Sequence, residues 1–352
     1  MQNNPIGIKG IDHLEFTCDK LTTPTASDFT RLGFTKTEIN QKNNSELYTQ
    51  GSIRFLLTAS NEGKSREYFK KHKEGVSKIS FLVDNVEKAI ETALKRGAKK
   101  VQDLKNEETE NGVYKTAAIQ GFGDVINEFV ERPVQQFRPG FTKLTNDEKA
   151  HPLKSPVARI DHLTNNVPKG EMEHWVDFYK TIYGFKETRY FDIKGVKTGL
   201  QSKVVQLENN AVISPINEPE VYNGKSQMQE FLDRHNGAGV QHIALTTTDI
   251  VTTISELRSR DIKFLKVPKT YYQDIPNRPF QINEDVSILE KNQILVDGDK
   301  DGYLLQIFTD TYVGPLFYEF IQRKKHWGFG EGNFQALFDA IERDQLERGY
   351  LN

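Results

Sequence analysis

At 352 residues the chain is long for a single hydrophobic core, so two domains are expected. Hydrophobic residues make up 36%, charged residues 27%, and the formal net charge is −2, which leaves no reason to expect nucleic acid or an anionic membrane as partner. No stretch approaches the roughly 20 apolar residues of a spanning helix, the opening Met1-Gln2-Asn3-Asn4-Pro5 carries neither segment of a signal peptide, and one cysteine, Cys18, excludes an internal disulfide framework; a reducing, cytoplasmic setting is expected.

Along the chain, short β-like runs alternate with amphipathic helical segments. Ile11 to Phe16 reads as a strand, followed by a helical stretch that ends at Leu32-Gly33-Phe34. Glu46-Leu47-Tyr48 and Ile53 to Leu57 look like a hairpin. Lys78 to Val83 is a strand, and Asn85 to Arg96 a helix stopped by Gly97. Val125 to Val130 closes the first half. A proline-punctuated polar stretch without sustained periodicity follows, and residues 136–156 are read as a linker between domains 1–135 and 157–352. Near the end, Tyr303 to Phe308 and Leu316 to Ile321 read as neighbouring strands, the second with a single carboxylate, Glu319, amid apolar and aromatic residues.

The alternation restarts once. Gly10-Ile11-Asp12-His13-Leu14 lines up with Arg159-Ile160-Asp161-His162-Leu163, and Leu32-Gly33-Phe34 with Tyr183-Gly184-Phe185. Gly75 to Ile79 matches Gly239 to Ile243, and the helix from Asp84 to Gly97 matches Asp249 to Arg260. Glu128-Phe129-Val130-Glu131-Arg132 matches Glu319-Phe320-Ile321-Gln322-Arg323. Two halves with one order of elements point to duplication of a domain.

The polar residues at matched positions differ in a telling way. The second half has His162, His242 and Glu319; the first has His13, Lys78 and Glu128. A lone strand glutamate is commonly solvent-facing or salt-bridged, and a lone strand histidine a satisfied core residue. Two histidines and a carboxylate on three separate strands are, however, the ligand set of a non-haem Fe(II) site with open positions. In the first half a lysine ammonium stands where a second imidazole is needed, so the metal is expected in the C-terminal half alone.

Other signals are set aside. Asp297-Gly298-Asp299-Lys300-Asp301-Gly302 resembles the start of a calcium loop, but its twelfth position is Phe308 and strands flank it, so it reads as a turn. The glycines of Gly328-Phe329-Gly330-Glu331-Gly332 fail the dinucleotide spacing. His151, His174, His235 and His326 lack repeat partners and read as surface residues.

With the three ligand candidates in place, the second half resembles the 4-hydroxyphenylpyruvate dioxygenase family of the vicinal oxygen chelate superfamily. The resemblance is carried by Ile160 to Val167, Arg189 to Gly195, Gly239 to Ala244, Leu304 to Thr309 and Gly328 to Phe334, in that order. It implies an α+β fold of two glyoxalase-like domains. Each is built of paired βαβββ modules forming an open, barrel-like sheet, with a C-terminal lid helix from Asn333 to Arg348 carrying Phe334, Leu337, Phe338 and Ile341 on one face. It implies one Fe(II) per chain, held by His162, His242 and Glu319. The implied reaction takes 4-hydroxyphenylpyruvate and O2 to homogentisate and CO2, a step of tyrosine breakdown. It further implies active-site roles for Gln241, Gln306, Phe308, Phe329, Asn333 and Phe334. Ser202, Asn217 and Gln227 are implied as substrate-binding, the last two on the phenol side. Members are commonly dimers or tetramers, so a homo-oligomer is expected. The neighbouring readings are 4-hydroxymandelate synthase, with the same substrate and ligands but benzylic hydroxylation, and an extradiol-type dioxygenase. Asn217 and Phe334 resemble the ring-hydroxylating pattern.

Overall fold

A computed structural model describes residues 3–134, 137–145, 152–194, 198–221 and 226–335, and the single positions 338, 346 and 349. The first half runs β1 (Ile8–Thr17), α1 (Pro24–Arg31), β2 (Thr35–Asn40), β3 (Ser45–Gln50), β4 (Ile53–Thr58), α2 (Gly63–His72), β5 (Gly75–Val83), α3 (Val86–Lys95), β6 (Lys100–Thr109), β7 (Gly112–Gln120), β8 (Ile126–Glu131) and the short β9 (Thr142–Lys143). The second runs β10 (Ile160–Asn166), α4 (Met172–Tyr183), β11 (Lys186–Lys194), β12 (Thr198–Gln206), β13 (Ile213–Val221), α5 (Gln227–His235), β14 (Gly239–Thr246), α6 (Ile250–Ser259), α7 (Lys269–Gln273), α8 (Val286–Asn292), β15 (Leu295–Gly298), β16 (Tyr303–Val313) and β17 (Leu316–Lys324).

Each half is therefore a pair of βαβββ modules making one sheet. The strand order is β6-β7-β8-β5-β1-β4-β3-β2-β9 in the first and β15-β16-β17-β14-β10-β13-β12-β11 in the second, so eight strands match one for one and the first sheet adds β9 at its edge. The local signals recur as well. Asn85 caps α3 by accepting from the Lys88 amide, and Asp249 caps α6 by accepting from the Thr252 amide. Gly33 and Gly184 end α1 and α4 in the left-handed region, at φ of 90° and 72°, where a side chain would be strained.

The central strands are buried on both faces, which is why they read as near-continuous apolar runs. One face of each sheet turns toward the other half. Leu14, Phe16, Phe81 and Phe129 on one side and Leu163, Ile243, Tyr318 and Phe320 on the other belong to one continuous core. Phe81 meets Tyr183 at 5.6 Å, Phe55 stacks near Tyr318 at 6.3 Å, and Asn127 Nδ2 donates to the Tyr183 hydroxyl at 2.6 Å. The period of two then sends the intervening residues His13, Lys78, Ser80 and Glu128, or His162, His242 and Glu319, to the other face, inside each curled sheet.

The stretch from 136, read in sequence as a linker, begins as part of the first half. Phe137 is buried with its ring edge-on to His13 at 5.0 Å, Arg138 reaches Glu128 at 2.7 Å, and β9 pairs with β2. Single residues plug the sheet here, so there is no periodicity for sequence reading to detect. Residues 146–151, including His151, and most of the last helix, including Leu337 and Ile341, lie outside the described residues. No described helix is long and apolar enough to cross a membrane.

Candidate metal centre

Strand register brings the ligand candidates together. In the second sheet His162 on β10 faces Ala244 on β14, which faces Glu319 on β17; one step along, Thr164 faces His242, which faces Phe317. His162, His242 and Glu319 are all buried, and their donor atoms lie within 4.8 Å of one another. Glu319 Oε2 is 3.2 Å from His162 Nε2 and 3.5 Å from His242 Nε2. Two ligands at right angles about 2.1 Å from a metal stand about 3 Å apart, so this triangle fits a facial set.

The groups behind the ligands fix which atoms face inward. Asp161 Oδ1 accepts from His162 Nδ1 at 3.0 Å, and Gln241 Oε1 accepts from His242 Nδ1 at 3.0 Å, leaving both Nε2 lone pairs for a cation. Asp161 is itself held by Arg323, with Nη2 and Nε donating at 2.7 and 2.9 Å. Burial would raise the Asp161 carboxyl, but Arg323 and then His162 hold it well below the usual carboxylate range. Burial would likewise lower His162, but Glu319 and then Asp161 outweigh it and lift the imidazole to about 9. His242 faces the same Glu319 yet moves down, because burial dominates and its rear partner is a neutral amide. Glu319 is pulled below its ordinary value despite burial, by His162 first. A carboxylate drawn down by two imidazoles, with no lysine or arginine bonded to it among the described residues, completes a donor set that could hold a metal ion.

The first half shows the contrasting outcome on the same scaffold. His13 faces Ser80, which faces Glu128. The Ser80 hydroxyl bridges them, 3.1 Å from His13 Nε2 and 2.8 Å from Glu128. Lys78 Nζ lies 2.8 Å from Glu15 and 3.5 Å from Glu128, and Arg138 adds a second cation at 2.7 Å. Two protein cations and a hydroxyl thus surround Glu128, where His13, Lys78 and Glu128 stand at the positions that match the second half's three donor residues.

A narrow cavity opens on His162 and His242. Ser202, Asn217, Gln227, Gln241 and Phe334 line it, all named from sequence, together with Met228 and Phe338. Gln306, Asn333, Phe308 and Phe329 stand elsewhere than in that lining. Gln306 Nε2 donates to Glu319 Oε1 at 3.3 Å and its Oε1 accepts from Asn333 Nδ2 at 3.0 Å; Asn333 Oδ1 in turn accepts from the Tyr271 hydroxyl at 2.6 Å. Gln306 thus holds Glu319 directly, and Asn333 holds Gln306. Phe308 sits 6.3 Å from His242, whereas Phe317 stacks on that ring at 4.8 Å and is the aromatic wall. Phe329 lies edge-on to His162 at 5.5 Å, matching Phe137 on His13.

Sequence reading missed Thr164, whose buried hydroxyl faces the cavity without a hydrogen-bond partner among the described residues, and also Phe317, Arg323 and Tyr271. Arg323 had a visible signal, since Asp12-His13 with Arg132 repeats as Asp161-His162 with Arg323. Of the histidines read as superficial, His174 is exposed and His326 half-buried. His235 is buried between the halves, accepting from the Tyr68 hydroxyl at 2.8 Å and stacked on His72 at 4.5 Å.

Comparison with known proteins places this geometry. Residues 2–137 match the family described as hydroxyphenylpyruvate dioxygenase, N-terminal, and residues 159–275 the glyoxalase/bleomycin resistance protein/dioxygenase superfamily. Hemolysin VllY of Vibrio vulnificus is 41% identical over 99% of this chain and 98% of its own length. A 4-hydroxyphenylpyruvate dioxygenase of Legionella pneumophila is 38% identical, again over 99% of this chain and 98% of its own. Among solved structures, a mutant of 4-hydroxymandelate synthase from Streptomyces coelicolor shares the fold, with a TM-score of 0.81 at 24% identity, covering 96% of this chain and 99% of that one.

Proposed function

Because the chain belongs to the 4-hydroxyphenylpyruvate dioxygenase family, we propose that His162, His242 and Glu319 hold one Fe(II) in its C-terminal half. The enzyme converts 4-hydroxyphenylpyruvate and O2 to homogentisate and CO2. The substrate carboxyl leaves as CO2, one oxygen atom enters the new carboxylate, the other becomes a ring hydroxyl, and the side chain moves to the neighbouring ring carbon. Iron, when bound, supplies the two-point grip on the 2-oxo acid and the activation of O2. A ferrous ion with two neutral imidazoles and one carboxylate carries net charge near +1, suited to an anionic substrate.

The chain's own residues aim the ring. Asn217 and Gln227 offer amide groups to the phenol end, and Ser202 and Thr164 offer hydroxyls along the cavity. Phe317 and Phe334 give it aromatic walls, each ring contact contributing about 0.5–1.5 kcal/mol beyond area burial. Phe334 and Phe338 come from the segment after β17 and help keep water from the reacting centre. The observation that carries the reading is the buried triad with both rear nitrogens engaged and, among the described residues, no lysine or arginine paired with Glu319. Ring hydroxylation is favoured over the benzylic product because Asn217 and Phe334 both line the cavity.

The test is anaerobic loading with Fe(II), addition of O2 and 4-hydroxyphenylpyruvate, and identification of the product. Homogentisate and CO2 equimolar with the O2 consumed are expected. 4-Hydroxymandelate would overturn the ring assignment, O2 uptake with a catechol alone would support the extradiol reading, and H242A should abolish iron-dependent turnover.

A further inference from the structure

The first half has open space of its own inside the curled sheet. Two adjoining cavities, of about 510 and 530 Å³, share the side chains of Glu62, Ser65, Lys78, Gln102 and Lys105. The cavity on His162 and His242 measures only about 50 Å³. Strand register shows that the larger space stands in the equivalent place. Thr17, four residues after His13, faces Thr58, which faces Ser45. Asn166, four residues after His162, faces Asn217, which faces Ser202. Lys78 faces Ile126 as His242 faces Phe317. Ser45, Thr58, Lys78 and Ile126 therefore occupy the places of Ser202, Asn217, His242 and Phe317, and every one of them lines a cavity. Duplication has kept a pocket here and changed its chemistry.

The charged groups that face this space decide what it can take. Lys78 Nζ pairs with Glu15 at 2.8 Å and with Glu128 at 3.5 Å. An ammonium has three donors, so one N–H is left for the space that Lys78 lines. Lys105 on β6 and Glu62 just before α2 line both cavities, and neither side chain has a partner among the described residues. A lone cation, a lone carboxylate and a spare ammonium hydrogen thus face one common space. Val101, Ala118 and Ile126 give one arm of it an apolar wall. A ligand with charge of a single sign would meet either Glu62 or Lys105 as a like charge, whereas a zwitterion meets each with its opposite.

We propose that the first half holds a second ligand site, which takes a free α-amino acid with an apolar or aromatic side chain. The carboxylate lies between Lys105 and the spare hydrogen of Lys78, the ammonium turns to Glu62, and the side chain rests on Val101, Ala118 and Ile126. Where the second half would grip an acid through its metal, the first half grips one through a lysine at the matching position. The site uses no metal, and it stands or falls apart from the assignment of iron to the second half.

The experiment is calorimetric titration of the full chain with L-phenylalanine, beside 3-phenylpropanoate, which lacks the ammonium, and 2-phenylethylamine, which lacks the carboxylate. For the amino acid a Kd of about 1 mM or tighter is expected in iron-loaded anaerobic protein, in iron-free protein and in H242A alike. The two truncated probes should each bind wild type about tenfold more weakly, the loss of one charge-assisted contact. E62Q should weaken L-phenylalanine about tenfold without weakening 3-phenylpropanoate, and K105Q should weaken it as much without weakening 2-phenylethylamine. Glu62 and Lys105 are both exposed, so neither change should disturb folding. Binding that disappears in H242A or in iron-free protein belongs to the metal centre and overturns the proposal. So does a truncated probe that binds as tightly as the amino acid, an affinity indifferent to E62Q and K105Q, or no binding at about 10 mM.

Discussion

Replacing Lys78 with methionine separates the structural role of the first half from the chemistry of the second. Methionine keeps the apolar stem and removes the ammonium from between Glu15 and Glu128, which are both buried. Glu128 retains Arg138 at 2.7 Å and the Ser80 hydroxyl at 2.8 Å. Glu15 retains the Ser65 hydroxyl at 2.8 Å and no charged partner within ion-pair distance among the described residues. Removing one partner of a buried ion pair costs roughly 3–5 kcal/mol, and because Glu128 keeps Arg138 the expectation is the lower end, about 3 kcal/mol. For a domain of this size that is a fall of roughly 6–12 °C in midpoint. K78M/E15Q, which also removes the stranded charge, should recover most of it. Thermal unfolding of the three proteins tests the stability, and turnover of 4-hydroxyphenylpyruvate below the transition tests the chemistry. Turnover should stay within about twofold of wild type, since Lys78 touches nothing in the second sheet's cavity. An unchanged midpoint would refute the ion-pair reasoning, and a folded, iron-loaded K78M without turnover would refute the assignment of chemistry to the second half.

Gly330 has φ of 76° and no room for a Cβ, which would collide with the Gln306 amide. G330A should therefore uncouple Gln306 from Asn333 and Glu319 and lower kcat by about 10–100-fold, checked by steady-state assay against iron content. T164V removes an unpartnered buried hydroxyl from the cavity wall. The midpoint should not fall, while KM rises about fivefold if the substrate supplies the missing partner, and T164S should behave as wild type. Burial, and then the adjacent His72, lower His235 from 6.5 to about 4, so the fold keeps it neutral. The unfolded chain binds the proton first, so this stability is complete above about pH 6.5 and drains as pH falls toward about 4, by about 3 kcal/mol. Denaturant midpoints of H235N across that window should fall less steeply than those of wild type; parallel curves would contradict the reading.

What sequence reading could see follows from what the fold repeats. His162, His242 and Glu319 stand out because each sits at a position occupied in the other half, and register turns that alignment into adjacency. The strand pairs and the caps Asn85 and Asp249 are legible for the same local reasons that form them. Arg138 was hidden because it reaches Glu128 from an irregular segment, where no period announces a buried side chain. Phe317 and Phe308 are indistinguishable in apolar runs; the β14–β17 register sets Phe317 beside His242, where its ring stacks. Active-site roles for Gln306 and Asn333 are implied by the family resemblance alone. Their bonding to Glu319 and Tyr271, rather than a place in the cavity lining, is a tertiary outcome that neither residue's neighbours encode. His235 was read as superficial because its burial arises where the halves meet.

The most direct test of the central claim is anomalous diffraction at the iron edge from crystals loaded anaerobically with Fe(II). One peak per chain, between the Nε2 atoms of His162 and His242 and the Glu319 carboxylate, is the expected result. A peak beside His13 and Glu128, or none near the triad in protein that turns over 4-hydroxyphenylpyruvate, would contradict it.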